Sequence, residues 1–463
     1  FDAGDQSTES VGILFPILKD LGLYDPEEWH RADWRIVTPH ADVKLQSYDQ
    51  IRADFKKAYP ESSQDLDTWF DFLTKGCMIF KDMMSLGDFP LVRQGADKWR
   101  MMLEMSKAAL KFAPLAKECI TKTGTQKCRE IFKDPNLAFL FGEFGNANMM
   151  LFMFFSFWYC FIYDYWYPKG GLQGFVNKVA DAYRNLGGEL HLKTTVEKVL
   201  LKGNRAYGVR TEQGEEYFAD TVIHSGNLKH LVLKMTDPAL FPYKYTQVIK
   251  AAPVSFGMPA AYLGVDIGDE EMMRYMKGHH TFYWRTYETI TDTFTPDAHR
   301  RGFSQFSWTS MHDKSLAPKG KNSLVIQVFT NYNWMDGWGT GTEDPTVRTE
   351  AYKKLKTRVL DDIIADSEYI IPGLSKRIAF KDLGTPRTLS RYTLNEQGAP
   401  MGWSYDMYRI FMAKRFGSFT TPIQNLYTCG HYSIWPGGVV FAALSARIVA
   451  ETMERGLART LLW

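Results

Sequence analysis

The sequence predicts a mixed α/β fold, in which a doubly wound sheet with an inserted β-meander lies beside an antiparallel sheet that carries helices. Three patterns predict it: a helix-like run between two glycine pairs at 167–201, longer strands between 250 and 340, and a strand, turn and helix from 425 onward. Apolar residues recur every three to four positions in a helix and every second position in a strand, which separates these patterns. With 463 residues the chain can bury a large core, in two intertwined domains or three simple ones.

The first pattern is YPKGGLQGFVNKVADAYRNLGGELHLKTTVEKVLL, residues 167–201. One helical stripe collects its apolar residues, Phe175, Val176, Val179, Ala180 and Tyr183. Gly187 is a natural end for this helix, and a short strand is expected directly after Gly188. The meander that follows has predicted strands near 196–201, 205–211 and 216–223.

The second pattern lies between 250 and 340, where AAYLGVDIG and SLVIQVFTNYNW predict strands of an antiparallel sheet. Helical patterns occupy 11–24, 62–135 and 345–370. His279 and His280 follow Gly278 in a polar stretch, which predicts a loop and not a pair of metal ligands. No metal site is predicted, and no catalytic side chain is assigned.

Composition narrows the class of protein. Lys and Arg number 55 against 53 acidic residues, so the net charge of +2 gives no general attraction to nucleic acid, and none is expected as a partner. Hydrophobic residues make up 45% and aromatic residues 15%, which favours an apolar ligand or a large core. Widely spaced cysteines without a CxxC predict buried, reduced thiols and a reducing compartment such as the cytoplasm: Cys77, Cys119, Cys128, Cys160 and Cys429. The first residues, FDAGDQSTES, lack the features of a signal peptide.

Two segments bear on membrane contact. Residues 149–168, MMLFMFFSFWYCFIYDYWYP, are apolar for about 15 residues before Asp164, short of the roughly 20 that a spanning helix needs. Three readings of this aromatic segment stay open: core packing, the wall of a cavity for an apolar ligand, and a segment that dips into a membrane. The helical pattern ADKWRMMLEMSKAALKFAPLAK mixes Lys98, Arg100 and Lys107 with apolar residues, so it is either a solvated face or a basic surface helix for anionic lipid.

The third pattern, NLYTCGHYSIWPGGVVFAALSARIVAETMERG, predicts a strand, a Pro-Gly-Gly turn and a helix that ends at Gly456. A helix that begins directly after Gly437 and Gly438 presents backbone N–H groups and the positive end of its dipole, which attract a phosphate or a reduced flavin ring. The alternative is an ordinary crossover without a ligand. His431 likewise has two readings, a hydrogen bond to a ligand and simple packing.

Five motifs occur in order along nearly the whole chain: FDAG with LFPILKDLGL, YPKGGLQGFVNKVADAYRNLGGELHLKTTVEKV, SWTSMHDKSLAPKGKNSLVIQVF, GTPRTL, and LYTCGHYSIWPGGVVFAALSARIVAE. Together they resemble the phytoene desaturase and carotenoid isomerase family of FAD flavoproteins, relatives of the amine oxidases and retinol saturases. The resemblance implies an FAD held between the doubly wound sheet and a substrate domain, with a tunnel for a long polyene or similar isoprenoid.

The resemblance also implies site residues. Those expected to contact the cofactor are Gly4, Asp5, Val196, Gly226, Gly430, His431, Gly437, Gly438, Val439 and Val440. Those expected to face the substrate are Phe161, Tyr165, Tyr167 and Trp435. In this arrangement the backbone of Val196 holds the adenine, and Gly226 and Gly430 flank the diphosphate region. Val439 stands where the family often has a third glycine, so its side chain comes close to the ring.

The implied domains are an FAD-binding domain from 1–60, 168–245 and 420–463, and a substrate-binding domain from 61–167 and 246–419 with a helical part that faces a membrane. The family begins with a strand–GxGxxG–helix unit that cradles the FAD diphosphate. This sequence contains no GxGxxG. We therefore expect that the chain is a fragment, or that a second polypeptide supplies the unit.

The predicted function is that of an FAD-dependent oxidoreductase acting on a long apolar polyene such as a carotenoid, by desaturation, saturation or isomerisation through hydride exchange with flavin N5. Two alternatives stay open. One is a non-catalytic carrier of an apolar ligand or an assembly subunit, and the other is an amine oxidase-type flavoenzyme. Expected partners are an apolar small molecule, the GxGxxG unit and a membrane surface, with a cytoplasmic location peripheral to a membrane.

Overall fold

A computed structural model of the chain describes residues 13–84, 95–143, 149–287, 295–404, 419–433 and 437–454. Its helices are α1 (Leu14–Asp20), α2 (Tyr48–Ala58), α3 (Ser63–Met84), α4 (Gly95–Thr121), α5 (Gly124–Ile131), α6 (Pro135–Gly142), α7 (Leu151–Tyr163), α8 (Gly171–Asn185), α9 (Leu228–His230), α10 (Tyr243–Ala251), α11 (Asp269–Met276), α12 (Trp334–Gly339), α13 (Glu350–Ser367), α14 (Pro386–Thr393) and α15 (Val439–Glu454). The short helix α9 continues into a π-helix over Leu231–Met235, and residues 335–338 within α12 have left-handed backbone angles.

The strands are β1 (Trp29–Arg31), β2 (Trp34–Val37), β3 (Asp42–Leu45), β4 (Trp166–Pro168), β5 (Val196–Lys202), β6 (Arg205–Thr211), β7 (Glu216–Phe218), β8 (Val222–His224), β9 (Ala260–Val265), β10 (His280–Trp284), β11 (Phe303–Ser307), β12 (Asn322–Gln327), β13 (Ile378–Gly384) and β14 (Leu426–Thr428). With the helices they make the mixed α/β fold that the sequence predicts.

A seven-stranded sheet runs in the order β13-β9-β12-β11-β10-β2-β3. Its neighbouring strands are antiparallel, except that β10 and β2 run parallel and place His280 beside Trp34. The antiparallel sheet predicted between 250 and 340 is therefore confirmed. Strands β2 and β3 join this sheet, although the sequence placed their residues in the 1–60 segment of the other domain. The domain division as a whole stays a prediction.

The aromatic segment forms α7, and its burial supports the reading as core packing. Ten of the 13 residues of α7 are buried, and all of them except Ser156 belong to the hydrophobic cluster that also contains residues of α3. A Cβ at Gly76 of α3 would overlap the ring of Phe155, so this glycine lets the two helices approach closely. Within the described ranges, no helix is both long enough and apolar enough to cross a bilayer.

The helix predicted between the glycine pairs is α8, and it ends where expected. Gly187 has φ +86°, and its N–H donates to the carbonyl of Arg184 at 2.9 Å, as in many helix C-termini. The meander follows as the three-stranded sheet β5-β6-β7, and β8 pairs in parallel with β14. The third predicted strand, 216–223, divides into β7 and β8 because the two parts pair with different sheets.

Two local predictions are wrong. The short strand expected directly after Gly188 is not formed, because residues 189–195 lie beside no partner strand in the described chain. The loop expected at His279 and His280 is also wrong, since His280 begins β10 and both side chains are 0% exposed. Strand β10 lies between β11 and β2, so it is buried on both edges despite its polar start.

The cysteines agree with the expectation of buried thiols. All five are free; Cys77, Cys119, Cys128 and Cys160 are buried and Cys429 is half-buried. Burial raises the pKa of the Cys119 thiol to about 12, which keeps it protonated and unreactive at neutral pH.

Candidate functional site

The parallel strands β8 and β14 are neighbours, so their carboxyl ends lie side by side. Each strand is followed closely by a glycine in a crowded place. Gly430 follows β14 with φ +81°, and a Cβ there would lie 2.8 Å from the carbonyl oxygen of Ser225. Gly226 follows β8, and its Cβ would lie 3.2 Å from the His224 imidazole. Ligands of doubly wound folds bind outside the carboxyl ends of parallel strands, so these glycines lie at the expected edge.

Helix α15 is joined to this strand end by hydrogen bonds. The N–H of Gly430 donates to Ser445 Oγ at 2.8 Å, and that hydroxyl donates to the carbonyl of Ala442 at 2.7 Å. Gly437 and Gly438, at φ +77° and +76°, turn the chain into the helix. The backbone N–H groups of the first helical turn have no acceptor within the helix.

Two valines follow the glycine pair. Val440 is 1% exposed and packs in the hydrophobic cluster with α1, whereas Val439 is half-buried. The side chain of Val440 therefore belongs to the core beneath the helix. Val439 is the one that remains near the surface of the turn.

A loop that the sequence did not single out closes over His431. Gly402 has φ +71°, and a Cβ there would lie 2.7 Å from the carbonyl oxygen of His431. Trp403 Nε1 donates to the carbonyl of Tyr432 at 3.0 Å, and the Gly402 carbonyl accepts from the N–H of Ser255 at 2.8 Å. The stretch GAPMGW carries a turn signal in Gly402, but nothing in the sequence pairs that turn with the residues after β14.

The imidazoles of this region are neutral. Burial lowers the pKa of His431 to about 4, and burial also lowers the pKa of His224, whose Nε2 lies 3.2 Å from the carbonyl of Asn227. A neutral imidazole can donate and accept a hydrogen bond without adding charge. His431 therefore suits a hydrogen bond to a neutral ligand ring as well as packing.

The residues expected to face the substrate form a buried aromatic cluster. Phe161 and Tyr165 both pack against Trp34, with ring centroids 4.5 and 4.9 Å from it, and their own rings stack at 5.8 Å. His280 stacks on Trp34 at 4.1 Å and 16°, and Tyr167 lies 4.5 Å from His279. Reasoning from the sequence did not place Trp34 or either histidine in this cluster. They come together because β2 pairs with β10, a long-range contact that no local sequence pattern predicts.

The backbone at Tyr165 is held from β1. Its carbonyl accepts from Arg31 Nη1 at 2.5 Å and from the N–H of Ala32 at 2.9 Å. Burial lowers the pKa of Arg31, and the carboxylate of Asp164 opposes that shift. The cluster is thereby fixed to the hinge that leads into α8.

Several polar atoms of this cluster are buried without hydrogen bonds. In the described chain neither ring nitrogen of His279 has a partner, and the same is true of His280 Nε2 and Trp34 Nε1. His280 Nδ1 lies 2.9 Å from Ser307 Oγ. Burial, followed by the neighbouring His280 and His312, lowers the pKa of His279 far below its ordinary value, so the imidazole is neutral.

The predicted site residues thus fall into separate places. Gly226, Gly430, His431, Gly437, Gly438, Val439 and Val440 gather at the strand ends and α15. Phe161, Tyr165 and Tyr167 gather in the aromatic cluster. Val196 begins β5 in the three-stranded sheet. Gly4, Asp5 and Trp435 lie outside the described residues.

The strand ends and α15 fit one end of a flavin. Left-handed glycines, a helix N-terminus and a neutral imidazole offer a close backbone approach and hydrogen bonds to a flat ring. The diphosphate end does not fit in the same way, because the sequence contains no GxGxxG to cradle it. In the described residues, no group of three His, Cys, Asp or Glu side chains is placed to hold a metal ion.

Several proteins of known name are similar in sequence to this chain. Prolycopene isomerase of Arabidopsis thaliana is 26% identical over 287 residues, which are 62% of this chain and 45% of the relative. The zeta-carotene-forming phytoene desaturase of Myxococcus xanthus is 26% identical over 292 residues, which are 62% of this chain and 52% of the relative. The chain thus spans about half the length of the curated relatives it matches.

Solved structures of other proteins have a similar fold. A cofactor-site triple mutant of putrescine oxidase superimposes with a TM-score of 0.59 at 13% identity, over 98% of this chain and 88% of that one. At such low identity the likeness concerns the fold alone, and it confirms the predicted class. Residues 12–266, more than half of the chain, match the family described as flavin containing amine oxidoreductase, in agreement with the predicted FAD. The chain therefore belongs to the flavin-containing amine oxidoreductase family.

Proposed function

We propose that this chain is part of an FAD-dependent oxidoreductase that acts on a long apolar polyene or isoprenoid, by desaturation, saturation or isomerisation. The observation that carries the proposal is the buried aromatic cluster of Phe161, Tyr165 and Trp34, on the hinge that leads from α7 to α8. Relatives named as a prolycopene isomerase and a phytoene desaturase support this substrate class.

The chain's own residues would bind, orient and exclude water. When bound, the flavin supplies the acceptor and donor of hydride. We assign the ring end of the flavin to His431, the turn at Gly437 and Gly438, and the first residues of α15, with Gly226 and Gly430 along the rest of the cofactor. Phe161, Tyr165 and Tyr167 belong to the large hydrophobic cluster and would line the end of the substrate site that receives an alkyl or polyene chain.

Two partners complete the proposal. A strand–GxGxxG–helix unit, on another segment or on a second polypeptide, would cradle the diphosphate. Helix α4 would touch a membrane surface, because Trp99, Leu103 and Leu110 are 73%, 57% and 75% exposed on it, close to the exposed Arg100. The five free cysteines favour a reducing compartment.

A carrier without chemistry is the second candidate, and the missing GxGxxG favours it. The test uses the chain purified together with whatever it binds. Flavin content is measured after denaturation, and phytoene, prolycopene and putrescine are then offered anaerobically, with products separated by chromatography. Conversion of a polyene by flavin-containing protein supports the oxidoreductase. Flavin-free protein that holds a polyene unchanged supports the carrier, and oxidation of putrescine alone would favour an amine oxidase.

A variant locates the flavin. Gly438→Trp fills the turn before α15, so we expect it to abolish flavin retention. Gly320→Trp is the matched control, since Gly320 also has positive φ (+77°) but has open space around it. Equal flavin content in the two variants would refute the placement at α15.

A further inference from the structure

We propose that four histidines hold the β1–β4 ribbon closed against the end of the large sheet, and that their protonation opens the ribbon and admits an apolar ligand to the aromatic cluster. The ribbon consists of the paired strands β1 and β4, and the histidine cluster consists of His30, His279, His280 and His312. The inference rests on the proposed function for the nature of the ligand. It goes further by naming the element that moves and the signal that moves it.

The aromatic rings assigned to the substrate are closed to solvent. Phe161, Tyr165 and Tyr167 are 7%, 2% and 2% exposed, so an apolar chain reaches them only when a neighbouring element moves. Helix α7 is buried along most of its length, and the large sheet has seven strands. The ribbon has two strands of three residues, and a strand pair of this size is marginal alone. It is therefore the smallest element whose movement would open these rings.

Short links join the ribbon to the aromatic cluster. Residues 32–33 lead from β1 into β2, and residues 164–165 lead from α7 into β4. Tyr165 lies in the second link, and Tyr167 lies in β4 directly opposite His30 of β1. A movement of the ribbon therefore displaces two of the three rings assigned to the substrate.

The histidine cluster spans the contact between the ribbon and the sheet. His30 of β1 stacks on His312 with ring centroids 5.0 Å apart and planes at 14°. His312 lies in the loop after β11 and stacks on His279 at 5.5 Å and 8°. His279 lies 4.3 Å from His280, which begins β10, and Tyr167 contacts His279 from the ribbon side at 4.5 Å. Rings of the ribbon and of the sheet are thus packed against one another.

Several nitrogens of this cluster are buried without a hydrogen bond. In the part of the chain that the structure describes, they are both ring nitrogens of His279, Nε2 of His280 and Nε2 of His312. A buried nitrogen without a partner costs free energy, and protonation would add a further N–H that has no acceptor. The closed contact therefore accommodates only neutral imidazoles, whereas an opened contact gives these nitrogens to water.

The titration of the cluster agrees with this geometry. Burial lowers the pKa of His280 to about 3 and that of His279 far below its ordinary value. Burial, followed by the neighbouring His30, also lowers the pKa of His312, and the carboxylate of Asp33 opposes that shift. Three of the four imidazoles are therefore held neutral while the ribbon is closed.

The charged groups around the cluster do not provide a counter-ion for an imidazolium. They come from β1, from both links, from the end of β4 and from the loop after β11, and they are Arg31, Asp33, Asp164, Lys169, Asp313 and Lys314. Asp33 is paired with Lys44 at 2.7 Å, and Asp313 accepts from the N–H of Gly170 at 2.6 Å. With three cations against three carboxylates, the surroundings leave a charge on these rings uncompensated.

Acid therefore favours the open ribbon. An imidazole in water binds a proton below about pH 6.5, whereas His279 in the closed contact does not. Opening becomes more favourable as pH falls below that value, and its equilibrium constant rises about 10-fold between pH 7.5 and 5.5 for His279 alone. Above about pH 7.5 the contribution vanishes. The open form is a minor state throughout, and its population is what acid increases.

The test follows amide hydrogen exchange of the purified chain by mass spectrometry at pH 7.5, 6.5 and 5.5, corrected for the intrinsic pH dependence of exchange. Peptides covering 29–32 and 166–169 report the ribbon, because the N–H of Ala32 donates to the Tyr165 carbonyl at 2.9 Å and that of Lys169 to the Glu28 carbonyl at 2.7 Å. Their protection should fall at least about 10-fold from pH 7.5 to 5.5. It should also stay below the protection of β12, which shows that the ribbon opens while the sheet is folded.

Variants assign the effect to the cluster. His279→Phe keeps a buried ring but removes the titrating group, so the fall in ribbon protection should lose a factor of about 10. His299→Phe is the matched control, since His299 is 3% exposed but contacts Asp362 and Trp334 in another part of the chain. It should leave the fall unchanged. Circular dichroism checks that both variants fold, and the measurement on the parent chain needs no variant.

A ligand probe links the ribbon to the aromatic cluster. Phytoene is offered in detergent micelles, and the quenching of Trp fluorescence gives its association rate. Because only the open form receives the ligand, this rate should rise at least about 10-fold from pH 7.5 to 5.5, and His279→Phe should reduce the rise about 10-fold.

The outcomes separate this inference from the proposed function. Ribbon protection that does not change with pH, or that equals the protection of β12, overturns the inference. So does phytoene binding at a rate that ignores the opening of the ribbon. If acid opens the ribbon but phytoene binds at neither pH, the opening stands and the proposed function fails. Conversion of phytoene by a chain whose ribbon is insensitive to pH leaves the proposed function standing without the histidine device.

Discussion

Helices α7 and α8 are neighbours in the chain and opposites in burial. The 13 residues of α7 are apolar on all sides, and ten are buried. The 15 residues of α8 are amphipathic, and one is buried. A stripe of apolar residues thus shows that a helix has a side to cover, but burial depends on whether another element lies on that side.

The partners of α7 make the difference visible. Phe155 lies over Gly76 of α3, and Phe161 packs against both Trp34 and Phe282 of the large sheet. On α8 it is Phe175 that has such a neighbour, the ring of Trp29 at 5.6 Å. The other residues of the α8 stripe are largely exposed to solvent, whereas α7 packs against a helix and a sheet.

The largest expected loss of stability comes from a substitution in α7. Phe154 is 0% exposed, its ring covers Gly124, and it meets Trp69 edge-on at 5.8 Å. Phe154→Ala should lower the free energy of unfolding by about 3–5 kcal/mol, through lost burial and a cavity. Urea unfolding measures it, with Phe218→Ala, at a 67% exposed residue, as the control expected to change little. Similar losses in both would contradict the burial described for α7.

The next effect is expected at Gly430, directly after β14. Gly430→Ala should lower the free energy of unfolding by about 2–3 kcal/mol, because the new Cβ meets the Ser225 carbonyl at 2.8 Å and φ is +81°. Gly320→Ala, with φ +77° and no atom nearby, isolates the backbone cost at about 1 kcal/mol. Thermal unfolding of both proteins gives the difference. Equal losses would show that the close contact with Ser225 is absent.

The third effect depends on pH. Burial lowers the pKa of His280 to about 3 and that of His279 well below its ordinary value. The unfolded chain binds protons on these histidines below about pH 6.5 and the folded chain does not, so the free energy of unfolding falls as pH falls below that value. Each histidine contributes a limiting slope of about 1.4 kcal/mol per pH unit, reached about one unit below the unfolded pKa of about 6.5. Above about pH 7.5 neither group titrates, and the contribution vanishes.

One substitution checks that slope. His279→Phe removes a titrating group whose ring nitrogens have no partner in the described chain. Between about pH 7 and 5 the pH dependence of the free energy of unfolding, measured with urea, should therefore become less steep by about 1 kcal/mol per pH unit on average. Phe218→Ala, which changes a 67% exposed residue that carries no titrating group, should leave the slope unchanged. Parallel curves for His279→Phe and the parent chain would mean that His279 is accessible to protons when folded.

The smallest effect sharpens the comparison from the α8 side. Leu186→Asp should change the free energy of unfolding of the chain alone by less than about 0.5 kcal/mol, because Leu186 is 88% exposed and loses no buried contact. Urea unfolding of the single variant measures it. A loss of several kcal/mol would place Leu186 in a core and contradict the exposure described for α8.

Much of the local structure could be predicted from the sequence. The end of α8 at Gly187, the meander, the antiparallel strands and the start of α15 all follow from signals within a few residues. The failures are non-local. The strand expected after Gly188 has no partner in the described chain, and His279 and His280 are buried by β2, which lies more than 200 residues away.

The candidate site divides in the same way. The glycines around α15 could be identified because positive φ and a helix start leave a local mark, as Gly430, Gly437 and Gly438 do. Gly402, Trp34 and Ser445 could not be identified, because each acts through one contact distant in sequence. Gly402 lies against His431, Trp34 packs on Tyr165, and Ser445 accepts from the N–H of Gly430.

By itself, the sequence determined the fold class, the apolar stripes and the glycine positions, because hydrophobic periodicity and backbone sterics act over a few residues. Only the tertiary structure decided which stripe is covered, which histidines lose water and which glycine is crowded. Those outcomes depend on burial, and burial is a property of the surfaces that meet and not of the residues that carry them.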